Sequence, residues 1–123
     1  MQKIILIIDD EPDTLELVKI RLEAAGYKAL TAPDHEKAFS LMEKHLPDLV
    51  LLDVMMPGKS GYEVCNEIKS DERMRGVPVI LFTAKSEQKA RLKTNAGFLA
   101  ADDYILKPFE PGELLKKIKK FIG

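Results

Sequence analysis

Asp9-Asp10-Glu11-Pro12, Asp53, Thr83-Ala84 and Lys107-Pro108-Phe109 are the stretches of this 123-residue chain whose side chains could do chemistry. Each follows a short apolar run. Asp9, Asp10 and Asp53, brought to one spot, would carry −3 together, and like charges crowded without compensation are unfavourable. A divalent cation and the Lys107 ammonium would together neutralise the set. Ligands that are all oxygen suit Mg²⁺.

Singly, each residue has a plainer reading. Asp10 or Asp13 could cap a helix, Asp53 could be a loop residue before a Pro-Gly turn, Thr83 an ordinary strand residue and Lys107 a surface lysine. Four strand ends that carry acid, acid, hydroxyl and amine in this order point instead to one constructed site.

What must position them is an alternation of strands and helices. Ile4 to Ile8 is continuous and largely β-branched, as a central parallel strand covered on both faces requires. Leu49 to Leu52 and Val79 to Phe82 read the same way, whereas Lys28 to Thr31 and Asp103 to Leu106 carry polar residues and are expected at the edges. Leu15, Val18, Leu22 and Ala25 recur at helical spacing before a stop at Gly26. Ala38, Leu41 and Met42 mark a second helix capped by Asp34, and Val64, Cys65 and Ile68 a third after Gly58 and Gly61. A fourth, from about Ser86, offers Ala90, Leu92 and Ala96, and a fifth presents Leu114, Leu115, Ile118, Phe121 and Ile122 as one stripe. Repeated βα units predict a doubly wound α/β domain, a parallel five-stranded sheet with helices on both faces. In such folds the site lies outside the carboxyl ends of the strands, and the order 2-1-3-4-5 would bring the four chemical strand ends together.

Composition narrows the function. Hydrophobic residues make up 46% and charged residues 32%, an ordinary globular balance. Nineteen Lys plus Arg against twenty Asp plus Glu leave −1, which argues against direct nucleic-acid or membrane-surface binding. With one cysteine, Cys65, an internal disulfide and a Cys-rich metal site are excluded. The expected compartment is the cytoplasm, because no apolar run reaches membrane-spanning length and Met1-Gln2-Lys3 opens no signal peptide. His35 and His45 are read as surface residues, Cys65 as core, and Lys116, Lys117, Lys119 and Lys120 as the solvated face of the last helix.

The sequence resembles the response-regulator receiver domains of two-component signalling over essentially its whole length. Asp9-Asp10-Glu11-Pro12, Asp53 with Met56-Pro57-Gly58, Thr83-Ala84 and Asp102-Asp103-Tyr104 leading into Lys107-Pro108-Phe109 carry the likeness. It implies a single flavodoxin-like (βα)5 receiver domain over residues 1–123 in the strand order 2-1-3-4-5. It further implies that Asp53 accepts a phosphoryl group from a phosphohistidine of a sensor histidine kinase. Mg²⁺ would be held by Asp9, Asp10, Asp53 and the Val54 carbonyl, and Thr83 and Lys107 would meet the phosphoryl oxygens. Thr83 and Tyr104 would form the switch, the Lys107-Pro108 bond would be cis, and the output would be a downstream protein or a fused domain. Such a protein catalyses only its own phosphorylation and dephosphorylation. One departure stands out: Phe98-Leu99-Ala100 separate Gly97 from Ala101, and the spacing of Leu92, Ala96 and Leu99 predicts a fourth helix running through Gly97.

The first helix adds a surface. Leu17, Ile20 and Ala24 fall opposite its core face at about 100° per residue, a second apolar stripe that a kinase helix could bury. Rival readings fit less well. A haloacid-dehalogenase-type phosphatase wants a second Asp two residues after its nucleophile, where Asp9 has Glu11 and Asp53 has Met55. A flavodoxin-like electron carrier needs a hydroxyl-rich loop after its first strand, where Asp9-Asp10-Glu11 would repel a phosphate, and the lack of a GxxxxGK[ST] loop excludes a P-loop nucleotidase. A pseudo-receiver that binds partners without phosphorylation is the remaining alternative.

Overall fold

The run Ile4-Ile5-Leu6-Ile7-Ile8 forms the second strand of a sheet buried on both faces, which is why it needs no polar alternation. The computed structural model describes residues 2–84 and 101–123. Over these the chain runs β1 (Ile4–Ile8), α1 (Pro12–Ala24), β2 (Lys28–Ala32), α2 (His35–Lys44), β3 (Leu49–Asp53), α3 (Gly61–Ser70), β4 (Val79–Ala84), β5 (Asp103–Lys107) and α4 (Pro111–Ile122). The five strands pair in parallel in the order β2-β1-β3-β4-β5. The two polar strands, β2 and β5, occupy the edges as expected. The fourth amphipathic stretch, with Ala90, Leu92, Ala96 and the run through Gly97 to Leu99, lies outside the described residues.

Alternation along the strands divides the core. Ile5, Ile7, Leu49, Leu51, Ile80, Phe82 and Ile105 face α1 and α4, where they meet Val18, Leu22, Leu114 and Ile118. Leu6, Ile8, Val50, Leu52, Val79 and Leu81 face α2 and α3, where they meet Ala38, Met42, Val64, Cys65 and Ile68. Period-two alternation in β and three-to-four-residue spacing in α thus close two half-cores on one sheet.

Local chemistry sets the helix ends. Asp34 Oδ1 accepts from Lys37 N at 2.8 Å, the expected cap of α2. Ser60 caps α3, its Oγ accepting from Glu63 N and donating to Glu63 Oε1. At α1 the plainer reading of the acids does not hold. Neither Asp10 nor Asp13 is the cap; Glu11 holds that position without a side-chain bond, and Pro12 starts the helix with its fixed φ. Ala25 is likewise corrected. It is an exposed C-cap because the helix stops at Ala24, and Tyr27 closes that end of the core instead. His45 is exposed as read, whereas His35 is half-buried. Lys117 is not simply solvated: it pairs with Asp103 at 3.2 Å and lies 5.7 Å from the Tyr104 ring centroid.

Candidate functional site

The carboxyl edge of the sheet gathers the acids. Asp53 is the last residue of β3, in register with Phe82, and Lys107 ends β5 opposite Ala84. Asp9 follows β1 and continues its ladder, its N–H donating to Ala32 O at 3.1 Å. Counting by twos from Ile7, Leu51 and Ile105 places Asp9, Asp53 and Lys107 on the α1/α4 face. Lys107 Nζ joins them, donating to Asp9 Oδ2 at 3.1 Å and to Asp53 Oδ1 at 3.2 Å. Asp9 Oδ1 accepts from Glu11 N at 2.9 Å. Both acids are buried and Asp10 is exposed. A buried carboxylate is tolerable only when paired, and one lysine pairs with two.

That shortage of positive charge appears in the titration of Asp53. Burial first, then the neighbouring Asp9 carboxylate, push its pKa from 3.8 up to about 6, against the pull of Lys107. Burial alone would lower the Lys107 ammonium, but Asp53 and Asp9 outweigh it and hold its pKa above the ordinary value. A raised carboxyl pKa means that ionised Asp53 destabilises the folded chain, a penalty that grows as pH rises through the interval from about 4 to about 6 and is complete above it. In EDTA at pH 8, Asp53→Asn should therefore stabilise the protein by about 2 kcal/mol. The gain should shrink toward zero near pH 4, where wild-type Asp53 is protonated. Thermal melts of both proteins at the two pH values check this, and a destabilised variant at pH 8 would contradict it.

The donor set fits a hard cation. One oxygen each from Asp9, Asp10 and Asp53 lie within 4.8 Å of one another, and an all-oxygen set with a charge excess is what Mg²⁺ selects. Val54 O already accepts from Gly61 N at 2.9 Å, which leaves its second lone pair for a ligand role.

Gly61 is the residue whose importance sequence reasoning missed. A Cβ there would overlap Asp53 O and stand 2.7 Å from Val54 Cα. The first residue of α3 therefore lies directly against the peptide that carries the candidate acceptor. The one available signal was the glycine itself, which marks close backbone approach as readily as a turn.

Burial and strand alternation place the other expected residues. Thr83 is buried and Tyr104 half-buried; alternation from Leu81 and the packing of Tyr104 put both on the α2/α3 face, the opposite side from Lys107. Cys65 is packed inside α3, and burial pushes its thiol up to about 11, as a core residue rather than a reactive one. Leu17 and Ile20 are exposed by 53% and 54%, and Ala24 is exposed beside them. The Lys107-Pro108 bond is cis. No helix among the described residues is long and apolar enough to cross a membrane.

A parallel sheet of this order, with three aspartates and a lysine at its carboxyl edge, defines a class of α/β signalling domains. The chain belongs to the response regulator receiver domain family, whose profile matches residues 5–119. It is 42% identical over 117 residues to the phosphate regulon transcriptional regulatory protein PhoB of Pseudomonas aeruginosa, covering 95% of this chain and 50% of that one. It is 38% identical over 122 residues to the alkaline phosphatase synthesis transcriptional regulatory protein PhoP of Bacillus subtilis, covering 99% and 49%. The chain thus spans about half the length of these curated relatives. Among solved structures, the response regulator TrrA of Thermotoga maritima, in complex with Mg²⁺-BeF, superimposes with a TM-score of 0.86 at 39% identity, covering 98% of this chain and 100% of that one.

Proposed function

We propose that residues 1–123 act as one receiver domain in the cytoplasm, with Asp53 the phosphoacceptor. A carboxylate oxygen of Asp53 attacks the phosphorus of a kinase phosphohistidine, an O–P bond forms, the N–P bond breaks, and the imidazole nitrogen leaves with its electron pair. The observation that carries this reading is the bridging lysine: Lys107 Nζ sits within 3.2 Å of both Asp9 and Asp53, holding a cation where phosphoryl charge would arrive. Asp9, Asp10, Asp53 and the Val54 carbonyl would hold Mg²⁺, which when bound supplies positive charge against the phosphoryl oxygens; the Mg²⁺-BeF complex of TrrA supports the assignment. Transfer of this kind needs alignment and charge neutralisation more than covalent chemistry. Lys107 turns from Asp53 toward the new oxygens, and Thr83, at the end of β4, donates its hydroxyl to another. Tyr104 shares the sheet face of Thr83 and relays the change to the output.

The partner enters along α1. Leu17, Ile20 and Ala24 present the apolar stripe, and a groove of about 400 Å³ beside it is lined by Leu17, Val18, Lys107, Phe109 and Pro111. A helix of a sensor histidine kinase or phosphotransfer protein laid there reaches the site at its lysine. The domain acts on no separate substrate and catalyses only its own phosphorylation and dephosphorylation. Its output is a downstream protein or a fused domain; the relatives about twice its length are named as transcriptional regulatory proteins.

Incubation with acetyl phosphate and Mg²⁺, followed by intact-mass analysis, tests the reading. Wild type should gain one phosphoryl group and Asp53→Asn none. A wild type that stays unmodified would favour the pseudo-receiver; labelling of both would move the acceptor elsewhere.

A further inference from the structure

Two carboxylates anchor Lys107, and an aromatic ring lies beside it. Nζ is 5.7 Å from the centroid of Phe82, inside the ~6 Å over which a cation is drawn to a ring face. Phe82 is wholly buried on the α1/α4 side of the sheet, in register with Asp53 on one side and Ile105 on the other. Phe109, two residues past Lys107 and half-buried, stacks on it with centroids 5.2 Å apart and planes 6° from parallel. Lysine, acid and both rings therefore form one continuous set of contacts.

We propose that the Phe82–Phe109 pair positions Lys107, the stacked rings keeping its ammonium in the notch between Asp9 and Asp53, with Phe109 acting on the site through Phe82. This rests on the phosphoacceptor reading above, in which Lys107 meets the transferred group. A lysine stem is flexible and its ordering is entropically unfavourable. The carboxylates fix its position only while they keep their charge, and the charge on Asp53 is what phosphorylation changes. A ring does not change with the reaction. It offers the ammonium a wall on the sheet side that is the same before and after transfer, and it excludes water that would weaken the ion pairs. Simple filling of apolar space would be served as well by a leucine at 109; a role in positioning requires the ring.

The test uses the whole chain with Phe109→Leu and Phe109→Tyr, each alone and combined with Lys107→Ala. Two quantities are read: the ¹³Cε order parameter of Lys107 by NMR in metal-free protein, and the rate of acetyl phosphate labelling at saturating donor with Mg²⁺. Phe109→Leu should remain folded by thermal melt, lower the Lys107 order parameter and slow labelling about fivefold, the size a contact of this kind supports. Phe109→Tyr, which keeps the ring, should restore both. In the Lys107→Ala background, Phe109→Leu should have no further effect on rate, because the two act as one unit. An unchanged order parameter in Phe109→Leu, or the same fivefold loss without Lys107, would overturn the proposal. If wild type takes no phosphoryl group, the phosphoacceptor reading fails, and the order parameter alone decides whether the rings hold the lysine.

Discussion

Gly61→Ala should destabilise the protein by about 3 kcal/mol and lower its Tm by roughly 10 °C. Ordinary helix propensity predicts the opposite sign, since alanine is favoured over glycine within a helix by up to about 1 kcal/mol, and Gly61 opens α3. Steric overlap decides the matter. The added methyl would overlap Asp53 O and come within 2.9 Å of Asp53 C, and these are backbone atoms of a fully buried strand, not the tip of a flexible side chain. Either α3 moves away and breaks the bond from Gly61 N to Val54 O, or the end of β3 shifts and carries Asp53 with it. Both routes disturb the site, so acetyl phosphate labelling should slow together with the loss of stability. Gly112→Ala is the internal control: it lies in α4 with nothing within 4 Å of its added Cβ, and the same exchange there should be neutral or mildly stabilising. Chemical denaturation of the two variants and wild type measures the difference. Equal effects at the two glycines would refute the close-approach argument.

The contrast between those glycines shows where reading the sequence stopped. Asp9, Asp53 and Lys107 were legible because each directly follows or ends an apolar strand, and strand ends in a parallel sheet are where side chains can converge. Boundaries were less so: β3, β4 and β5 each run on to include Asp53, Ala84 and Lys107, because the hydrogen-bond ladder does not stop where hydrophobicity does. Contacts that join distant parts of the chain left no local trace. Asp102, part of the acidic pair that carried the family likeness, accepts from Val79 N and from Lys69 Nζ, both at 2.7 Å, and Lys69 also donates to Val77 O at 2.8 Å. One carboxylate thus ties the start of β5 to β4 and to the end of α3, a role no spacing pattern announces. The Phe82–Phe109 stack and the pairing of Lys117 with Asp103 were hidden for the same reason. Helical periodicity, by contrast, separated the two faces of α1 well: Val18 and Leu22 are buried, and Leu17 and Ile20 are not.

That exposed face carries the other large expected effect. Ile20→Glu or Leu17→Glu should slow phosphotransfer from a phosphorylated sensor kinase that labels wild type by at least about 30-fold, the loss expected when an interface anchor is replaced by a charge. Both side chains are more than half exposed, so the folded chain itself should change by no more than about 0.5 kcal/mol. Acetyl phosphate is small and needs no docking surface, so its labelling of Asp53 should proceed at the wild-type rate. Scattered exposed apolar residues are common and need no explanation. What distinguishes these is their continuity with the groove that Leu17 shares with Lys107 and Phe109, so that a partner covering the stripe arrives beside the candidate site. A glutamate at 20 would then be buried against an apolar partner without a counter-charge. Loss of both reactions would show that these residues hold the fold, and phosphotransfer at the wild-type rate would show that the stripe takes no part in docking.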